Sequence, residues 1–366
     1  MRSGADMRLV VAEKERLRQF IRFYEERYLN DPLKRNSMSG LLKSLLYGKS
    51  VMCRSSFLEP VLVEDNGEIL MIAVLAQVER MKDFLQIAFF EARENNPDAF
   101  RLILSRAEEL AREKGAGKIT GSLNVHVNYG LGFLASGYDE KQGFGTMHNP
   151  PFYNELFEEN GFDPIDMVSF RKDLKELLEI LDPRITERLK RRYTIRSLDY
   201  RNLERDAEVY TNVNNEAFSD HLFYYPRKAE EDLELFKDFK PLLRPQNLLF
   251  AYKGDKPVGF MLWYPDFNEL MRPDETLGLG TVVKNRIFGK RIRTVKIVEM
   301  GVLPGEQRYG AVLALLNRVF EICIGRYDTF ESGWILESND SSRMLGVRLT
   351  DSVYKRYKAY IKDVNP

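Results

Sequence analysis

The residues that most clearly suggest chemistry lie in the stretch GVLPGEQRYGAVLALL, residues 301–316. It reads as a buried strand that ends at Pro304, a short polar turn, and then a helix. The first N–H groups of a helix lack intrahelical partners and carry the positive end of the helix dipole. A turn that directs several of these groups outward can bind a diphosphate, and Gly310 would let it approach closely. An ordinary strand-to-helix connection explains the same residues, because a single glycine is a weak motif.

The elements around this turn follow an order that occurs twice: helices, antiparallel strands, strand, helix, strand, short helix and strand. In the first half, Asp65-Asn66-Gly67 is a hairpin signal, and a helix opens at Asn96-Pro97-Asp98 and closes at Gly115. In the second half the hairpin turns at Gly254-Asp255. The repeat lies in the element order, with little residue identity.

A charged segment broken at Pro183 separates the two halves, as is common for a connection between domains. The sequence therefore predicts an α/β protein. Its sheets should mix parallel and antiparallel strands, as in some α+β folds, and should be flanked by helices. The predicted domains are residues 1–175 and 193–366, joined by a helical linker over 176–192.

Composition narrows the class of protein. The chain has 44% hydrophobic and 30% charged residues, which is typical of a soluble globular protein. Its 55 basic and 55 acidic side chains balance, which argues against nucleic acid as a partner. Two cysteines and three histidines without metal spacing predict neither a disulfide framework nor a metal site. No signal-peptide pattern or bilayer-spanning apolar run is present, so we expect a cytoplasmic protein with no membrane partner.

The opening stretch resembles motif A of the GNAT superfamily, the acyl-CoA-dependent N-acyltransferases. Val302-Leu303-Pro304 fits the bend that ends the motif's strand, and Gln307 and Gly310 occupy loop positions. The last glycine or alanine of that loop is replaced by Val312. Further matches are Asn339, which resembles the asparagine of motif B, and Phe157, Gly161 and Phe162, which resemble a signature near the end of a domain. The chain is similar as a whole to tandem GNAT-like bacterial proteins.

This resemblance implies two GNAT-like domains and acetyl-CoA or another acyl-CoA as cofactor. It places the pantetheine along the strand and the diphosphate in the turn, with Asn339 on the far side. The implied cofactor residues are Met300, Gly301, Val302, Leu303, Gln307, Arg308, Tyr309, Gly310, Ala311 and Asn339. The first half has Asn96-Pro97-Asp98 where a cradle should be, and Asp98 would compete with an anion. We therefore expect that half to lack a cofactor.

Acyl transfer to an amine needs a base, and some members of the superfamily use a glutamate at the place of Glu299. A glutamate that pairs with an arginine or lysine at the sheet edge is the structural alternative. The family's usual acid is a tyrosine seven residues after the motif B asparagine, and that position is Gly346 here.

Two other segments have polar or charged character. Residues 281–296 carry six basic side chains and no acid. The segment is either a lid that steers an acidic group or a solvated hairpin. The segments around Asn124, His126, Asn128, His148 and Tyr153 suit a cleft, whereas His148 and Asn149 could simply cap the next helix.

Three functions are consistent with these residues. The first is transfer of an acyl group, acetyl by first choice, from coenzyme A to a small-molecule or peptide amine. The second is an inactive acyl-CoA-binding or regulatory protein, which the glycine at 346 favours. The third is an aminoacyl-tRNA-dependent peptidyltransferase, against which the neutral charge argues. The acceptor, the acyl length and the oligomeric state are open.

Overall fold

The computed structural model describes residues 7–179, 182–273, 275–350 and 352–364. It forms two compact units that do not follow the halves of the chain. The first unit contains 1–167, 271–278 and 355–366, and the second contains 168–270 and 279–354. The linker predicted at 176–192 divides the chain by sequence position, whereas these two units are defined by which residues pack together.

The first unit holds one mixed sheet with helices packed on it. Its strands are β1 (Arg8–Val11), β2 (Ser56–Asp65), β3 (Glu68–Val78), β4 (Phe84–Ala92), β5 (Lys118–Gly121) and β6 (Phe133–Leu134). Its helices are α1 (Glu15–Glu26), α2 (Ser39–Leu46), α3 (Pro97–Lys114) and α4 (Phe152–Glu159). The strand that follows, β7 (Asp163–Asp173), begins in this unit and ends in the second.

The second unit has the same kind of architecture. Its helices are α5 (Leu174–Glu179), α6 (Pro183–Arg192), α7 (Leu203–Ala217), α8 (Ala229–Phe239), α9 (Leu279–Phe288), α10 (Ala311–Cys323) and α11 (Asp340–Thr350). Its strands are β8 (Thr194–Ser197), β9 (Leu248–Lys253), β10 (Lys256–Pro265), β11 (Thr294–Val302), β12 (Thr329–Ser332) and β13 (Ile335–Leu336). The last strand, β14 (Val353–Asp363), begins here and ends in the first unit.

Strand order is mixed in each unit. In the first it is β1-β2-β3-β4-β5-β14, with β4 and β5 parallel and their neighbours antiparallel. In the second it is β7-β12-β11-β10-β9-β8, with β11 and β12 parallel. A helix between two parallel strands, α3 in one unit and α10 in the other, makes the crossover that parallel pairing requires. The predicted mixed α/β architecture is therefore confirmed.

Local signals position these elements as the sequence predicts. Asn66 and Gly67 adopt positive φ values of 50° and 81°, as a tight hairpin requires. Asn96 caps α3 by accepting a hydrogen bond from the Ala99 amide at 3.0 Å. Gly115 ends that helix with φ 68°.

Two local predictions are wrong. Asn149 does not cap α4, because its Oδ1 atom accepts from the Leu134 amide at 2.6 Å and the position before the helix is Pro151. Residues 281–296 are not a hairpin: Leu279–Phe288 is a helix, followed by a 3-10 turn at Gly289–Arg291. In both cases a long-range contact or helix packing outweighed the local pattern.

Each unit has its own apolar core. In the first, α3 and α4 cover the sheet, and Phe90, Phe100, Phe133 and Phe157 form an aromatic cluster with ring centroids 4.8–6.1 Å apart. In the second, α7 covers β10, and Tyr210 contacts Phe260 edge-on at 4.7 Å. Burial of such rings provides most of the packing energy that fixes the strands of the site.

Candidate active site

Strands β11 and β12 of the second unit separate at the place where the sequence predicts the cofactor. They pair in parallel from Thr294–Thr329 to Ile297–Ser332, and the Gly333 amide then donates to the Ile297 carbonyl at 2.6 Å. The register on the β10 side also shifts here, which makes Val298 a bulge. Beyond this point no described strand pairs with the β12-facing edge of β11, and β10 occupies only the other edge, so an extended ligand can add there as a strand.

Glu299 follows the bulge, and its carboxylate points towards α7. It accepts hydrogen bonds from the Tyr210 hydroxyl and, at 2.7 Å, from the Asn214 amide nitrogen. Arg227 lies 3.6 Å away and also pairs with Asp232 at 3.0 Å. Glu299 therefore has the basic partner that the structural alternative requires, within a cluster of polar groups rather than at an exposed sheet edge.

This cluster is buried and contains more polar atoms than it can pair. Arg227 and Asn214 are 6% and 0% exposed, yet Arg227 Nε, Arg227 Nη2 and Asn214 Oδ1 have no hydrogen-bond partner among the described residues. Burial raises the pKa of Asp232 to about 6, although Arg227 opposes the rise. Buried polar atoms without protein partners are uncommon and generally bind water or a ligand. The Glu299 cluster thus has the composition of a site that binds a polar group.

Two aromatic side chains lie near the cluster. The ring of His221 is 5.9 Å from that of Trp334, and burial lowers the pKa of His221 although the charge of Glu299 opposes this. His221 Nδ1 accepts from the Phe223 amide at 3.3 Å. That bond favours the tautomer with the proton on Nε2, which makes His221 a donor rather than a base.

The predicted diphosphate turn is a 3-10 helix over Pro304–Tyr309. Its i→i+3 hydrogen bonds use the later amides of the turn, so those groups of Gln307, Arg308 and Tyr309 are engaged within it. Gln307 also donates its side-chain amide to the Val302 carbonyl at 3.4 Å. The donors that remain for an anion are the first amides of α10, which start at Ala311.

The start of α10 has the features of an anion site. Gly310 precedes it with φ 90°, no side chain of the described residues caps it, and its first turn carries no acid. A Cβ atom at Gly310 would lie 2.7 Å from Leu189 Cδ2, and the positive φ also favours glycine there. Glu306, on the preceding turn, is neutralised by Lys253 at 2.6 Å. Tyr309 is half exposed, with Arg192 4.5 Å above its ring.

The other predicted cofactor residues occupy different positions. Met300 and Gly301 lie on β11 against β10, and the Leu303 amide donates to Val258 at 2.9 Å. Asn339 uses its Oδ1 atom to cap α11, accepting from the Ser342 amide at 3.1 Å. The structure thus gathers 299–311 along one strand and turn, while the contacts of Asn339 are local to its own helix.

The start of α3, which occupies the place of α10 in the first unit, is closed by its own residues. Asn96 already accepts from the Ala99 amide at 3.0 Å, and Asp98 lies in the first turn of α3, paired with Arg101. A bound anion would have to displace the cap and approach a carboxylate.

The first unit instead contains a buried acid–base cluster whose central residue, Glu91, sequence reasoning missed. Glu91, on β4, accepts from the hydroxyls of Tyr28 at 2.7 Å and Tyr153 at 2.8 Å, and Lys34 Nζ is 3.9 Å from it. Burial lowers the pKa of Lys34, although Glu91 and Asp31 oppose this. A cavity of about 50 Å³ opens beside these groups, lined also by Tyr24 and Asn124. The available signal was Glu91 itself, a carboxylate inside an apolar strand.

His148 lies next to this cluster and forms an ion-pair geometry with Asp31, Nε2 to Oδ2 at 3.0 Å. Burial lowers the pKa of His148, and the charges of Lys34 and Lys355 lower it further while Asp31 opposes them. The unfolded chain therefore binds a proton at His148 before the folded protein does, as pH falls below about 6.5.

We predict that the folded protein loses stability as pH falls through this range, because folding lowers the pKa of His148. His148→Gln removes the titration, so its melting temperature should depend less on pH between about 7 and 5. Thermal melts followed by circular dichroism across this range measure the effect. Equal slopes for both proteins would contradict the assignment.

The described residues offer neither a metal site nor a membrane-spanning helix. No group of three or more histidine, cysteine, aspartate or glutamate side chains among them is arranged to hold a metal ion. Within the same residues, none of the helices combines the length and apolar character needed to cross a bilayer.

Comparison with known proteins supports the fold. No family model matches the chain. A bacterial ceramide synthase of Caulobacter vibrioides (strain NA1000 / CB15N) is 24% identical over 282 residues, which cover 74% of this chain and 73% of the relative. Protein YghO of Escherichia coli (strain K12) is 23% identical over 285 residues, covering 74% and 72%. Both are distant relatives.

Among solved structures, a tandem GNAT protein from the clavulanic acid biosynthesis pathway matches over 99% of both chains, with a TM-score of 0.58 and 12% identity. The chain therefore has the tandem GNAT-like fold, as the resemblance of its motifs predicted. At this identity the match shows the fold alone.

Proposed function

We propose that this tandem GNAT-like protein is an N-acyltransferase that moves an acyl group from coenzyme A to an amine. The coenzyme would bind the second unit, with its pantetheine along Met300–Leu303 and its diphosphate at the start of α10. One observation carries the proposal: the separation of β11 from β12, an uncapped helix start at Gly310 and the partly buried carboxylate of Glu299 occur together in one unit.

The residues present fit the coenzyme. The first amides of α10 would bind the diphosphate, and Gly310, which has no side chain, would let the diphosphate approach them closely. When bound, coenzyme A supplies an acyl group activated as a thioester. Glu299 would accept a proton from the ammonium group of the acceptor, and the neutral amine that results would be the nucleophile. Arg227 and Asn214 would orient the acceptor through the atoms that lack hydrogen-bond partners. The tyrosine that usually supplies a proton has no counterpart at Gly346.

The name of the Caulobacter relative suggests the class of substrate. A ceramide is the amide of a fatty acid with a long-chain amino alcohol, so its synthesis is an N-acyl transfer. We therefore extend the proposed donors from acetyl-CoA to long-chain acyl-CoA, and the proposed acceptors from small or peptide amines to lipid amines.

Ligand-induced stabilisation tests coenzyme binding. Acetyl-CoA and palmitoyl-CoA should each be titrated while the melting temperature is followed. At 100 times Kd, a ligand of the folded state stabilises it by about 2.7 kcal/mol. Gly310→Ala should reduce this gain, because alanine is strained at a φ of 90° and the new Cβ would lie 2.7 Å from Leu189 Cδ2, so the start of α10 would shift.

Gly325→Ala is the matched control, since Gly325 also has positive φ, 72°, but nothing lies within 4 Å of its Cβ position. Its own loss of stability should leave the gain from coenzyme unchanged. Absence of stabilisation by either acyl-CoA in the wild type would refute the proposal.

A second location for the chemistry is supported by the Glu91 cluster. Its cavity of about 50 Å³ is several times the roughly 10–15 Å³ that one water needs, which suits an amine head group. Glu91→Gln would then stop turnover while coenzyme binding at the second unit is kept. An acyl-CoA-binding protein without activity is the remaining alternative, and it predicts stabilisation without turnover over an amine panel.

A further inference from the structure

Helix α9 presents an apolar face to solvent. Leu279, Val283 and Ile287 recur every four residues, so they lie on one side of the helix. They are 83%, 54% and 65% exposed. Single exposed apolar residues are ordinary, but a continuous row of three is typical of a surface that binds something.

Contacts on the opposite side of α9 fix the orientation of this helix. Thr281 is 3% exposed, and Asn285 donates to the Leu242 carbonyl at 3.3 Å. Gly289, just after the helix, is also buried. Rotation that would bury the apolar row would break these contacts, so exposure of the row belongs to the folded second unit.

Basic side chains accompany the apolar row. Arg286 lies on the same side of α9, three residues after Val283, and Lys290 and Arg291 follow in the turn Gly289–Arg291. In the described part of the chain none of the three takes part in an ion pair, whereas nearby Arg293 pairs with Asp328 at 2.5 Å. Residues 276–298 contain no acid. The face is thus both apolar and cationic.

We propose that α9 and the turn Gly289–Arg291 dock the protein on the surface of an anionic lipid bilayer. Apolar side chains can enter the acyl boundary while lysine and arginine bind phosphate head groups, which is how interfacial helices bind membranes. A second copy of this chain fits less well, because a two-fold contact would bring Arg286 and Lys290 towards their own copies. Nucleic acid would gain nothing from the apolar row.

This inference does not rest on the proposed function. It revises the sequence-based expectation of no membrane partner, because a helix can lie on a bilayer without crossing it. It also gives Arg286, Lys290 and Arg291 a different role from a lid or a solvated hairpin.

Co-sedimentation with vesicles tests the proposal on the full chain. The protein should bind vesicles of phosphatidylcholine mixed with phosphatidylglycerol, and bind vesicles of phosphatidylcholine alone far less. Raising the salt concentration should weaken binding, since exposed charges are screened. The double variant Leu279→Ser/Ile287→Ser should bind at least about tenfold less. Arg286→Gln/Lys290→Gln should also bind on the order of tenfold less.

Ile324→Ser is the matched control, because Ile324 is 55% exposed but lies outside this face. It should bind as the wild type does. Circular dichroism checks that each variant is folded. The Ile287→Trp variant gives an independent reading, since the fluorescence of its added indole should shift to shorter wavelength on anionic vesicles.

Several results would overturn the proposal. They are no binding to either kind of vesicle, binding that both double variants retain, and an emission spectrum of the Ile287→Trp variant that vesicles do not change. Self-association or RNA binding that depends on the same residues, without vesicle binding, would assign the face to another partner.

Discussion

Glu299→Gln is expected to lower turnover by about 10²–10⁴-fold, the range that general-base catalysis contributes. The substitution keeps the shape of the side chain but removes the carboxylate that would take the proton. Arg227 keeps Asp232 as its partner at 3.0 Å, so the second unit should stay folded. Steady-state kinetics with an acyl-CoA and an amine panel, read beside thermal melts, measure the effect.

Two controls separate catalysis from support of the fold. Tyr210→Phe removes a hydrogen bond to Glu299 while leaving its charge, and should reduce turnover far less. Glu91→Gln makes the same chemical change in the first unit and should leave turnover near normal if the second unit holds the chemistry. Activity of Glu299→Gln close to that of the wild type would remove Glu299 as the base, and loss of activity only in Glu91→Gln would move the site.

Gly346→Tyr, which places the family's usual acid at its customary position, is expected to destabilise the protein by about 3 kcal/mol or more instead of improving catalysis. Gly346 packs on the ring of Phe170, and an added Cβ atom would lie 2.3 Å from Phe170 Cε2. Phe170 is fully buried and cannot move aside without opening the core. Chemical denaturation of both proteins gives the difference in the free energy of unfolding.

Val347→Tyr is the control for this change, because the neighbouring residue is 42% exposed on the same helix. It should alter the free energy of unfolding by less than about 0.5 kcal/mol, as surface substitutions usually do. A Gly346→Tyr protein with normal stability and higher turnover would show that the position can accept the acid. The expected result would instead mean that any proton for the leaving thiolate comes from another group.

The sequence determined most of the elements and their order, although not helix α9. Asn96, Asn66-Gly67 and Gly115 set a helix start, a hairpin and a helix end through contacts with residues a few positions away. The strand, turn and helix of 301–316 likewise follow from spacing and from Gly310. These features could be predicted because their causes are local, and the tandem arrangement followed from the repeated order.

Only the tertiary structure decided what each functional residue contacts. Glu299 meets Tyr210 and Arg227, which are far away in sequence, and Glu91 is surrounded by Tyr28, Lys34 and Tyr153. Burial, charge pairing and the room left beside a backbone depend on which distant elements pack together. The spacing of residues along the chain does not encode those distances, so the composition of both clusters and the exposure of α9 became visible only in the fold.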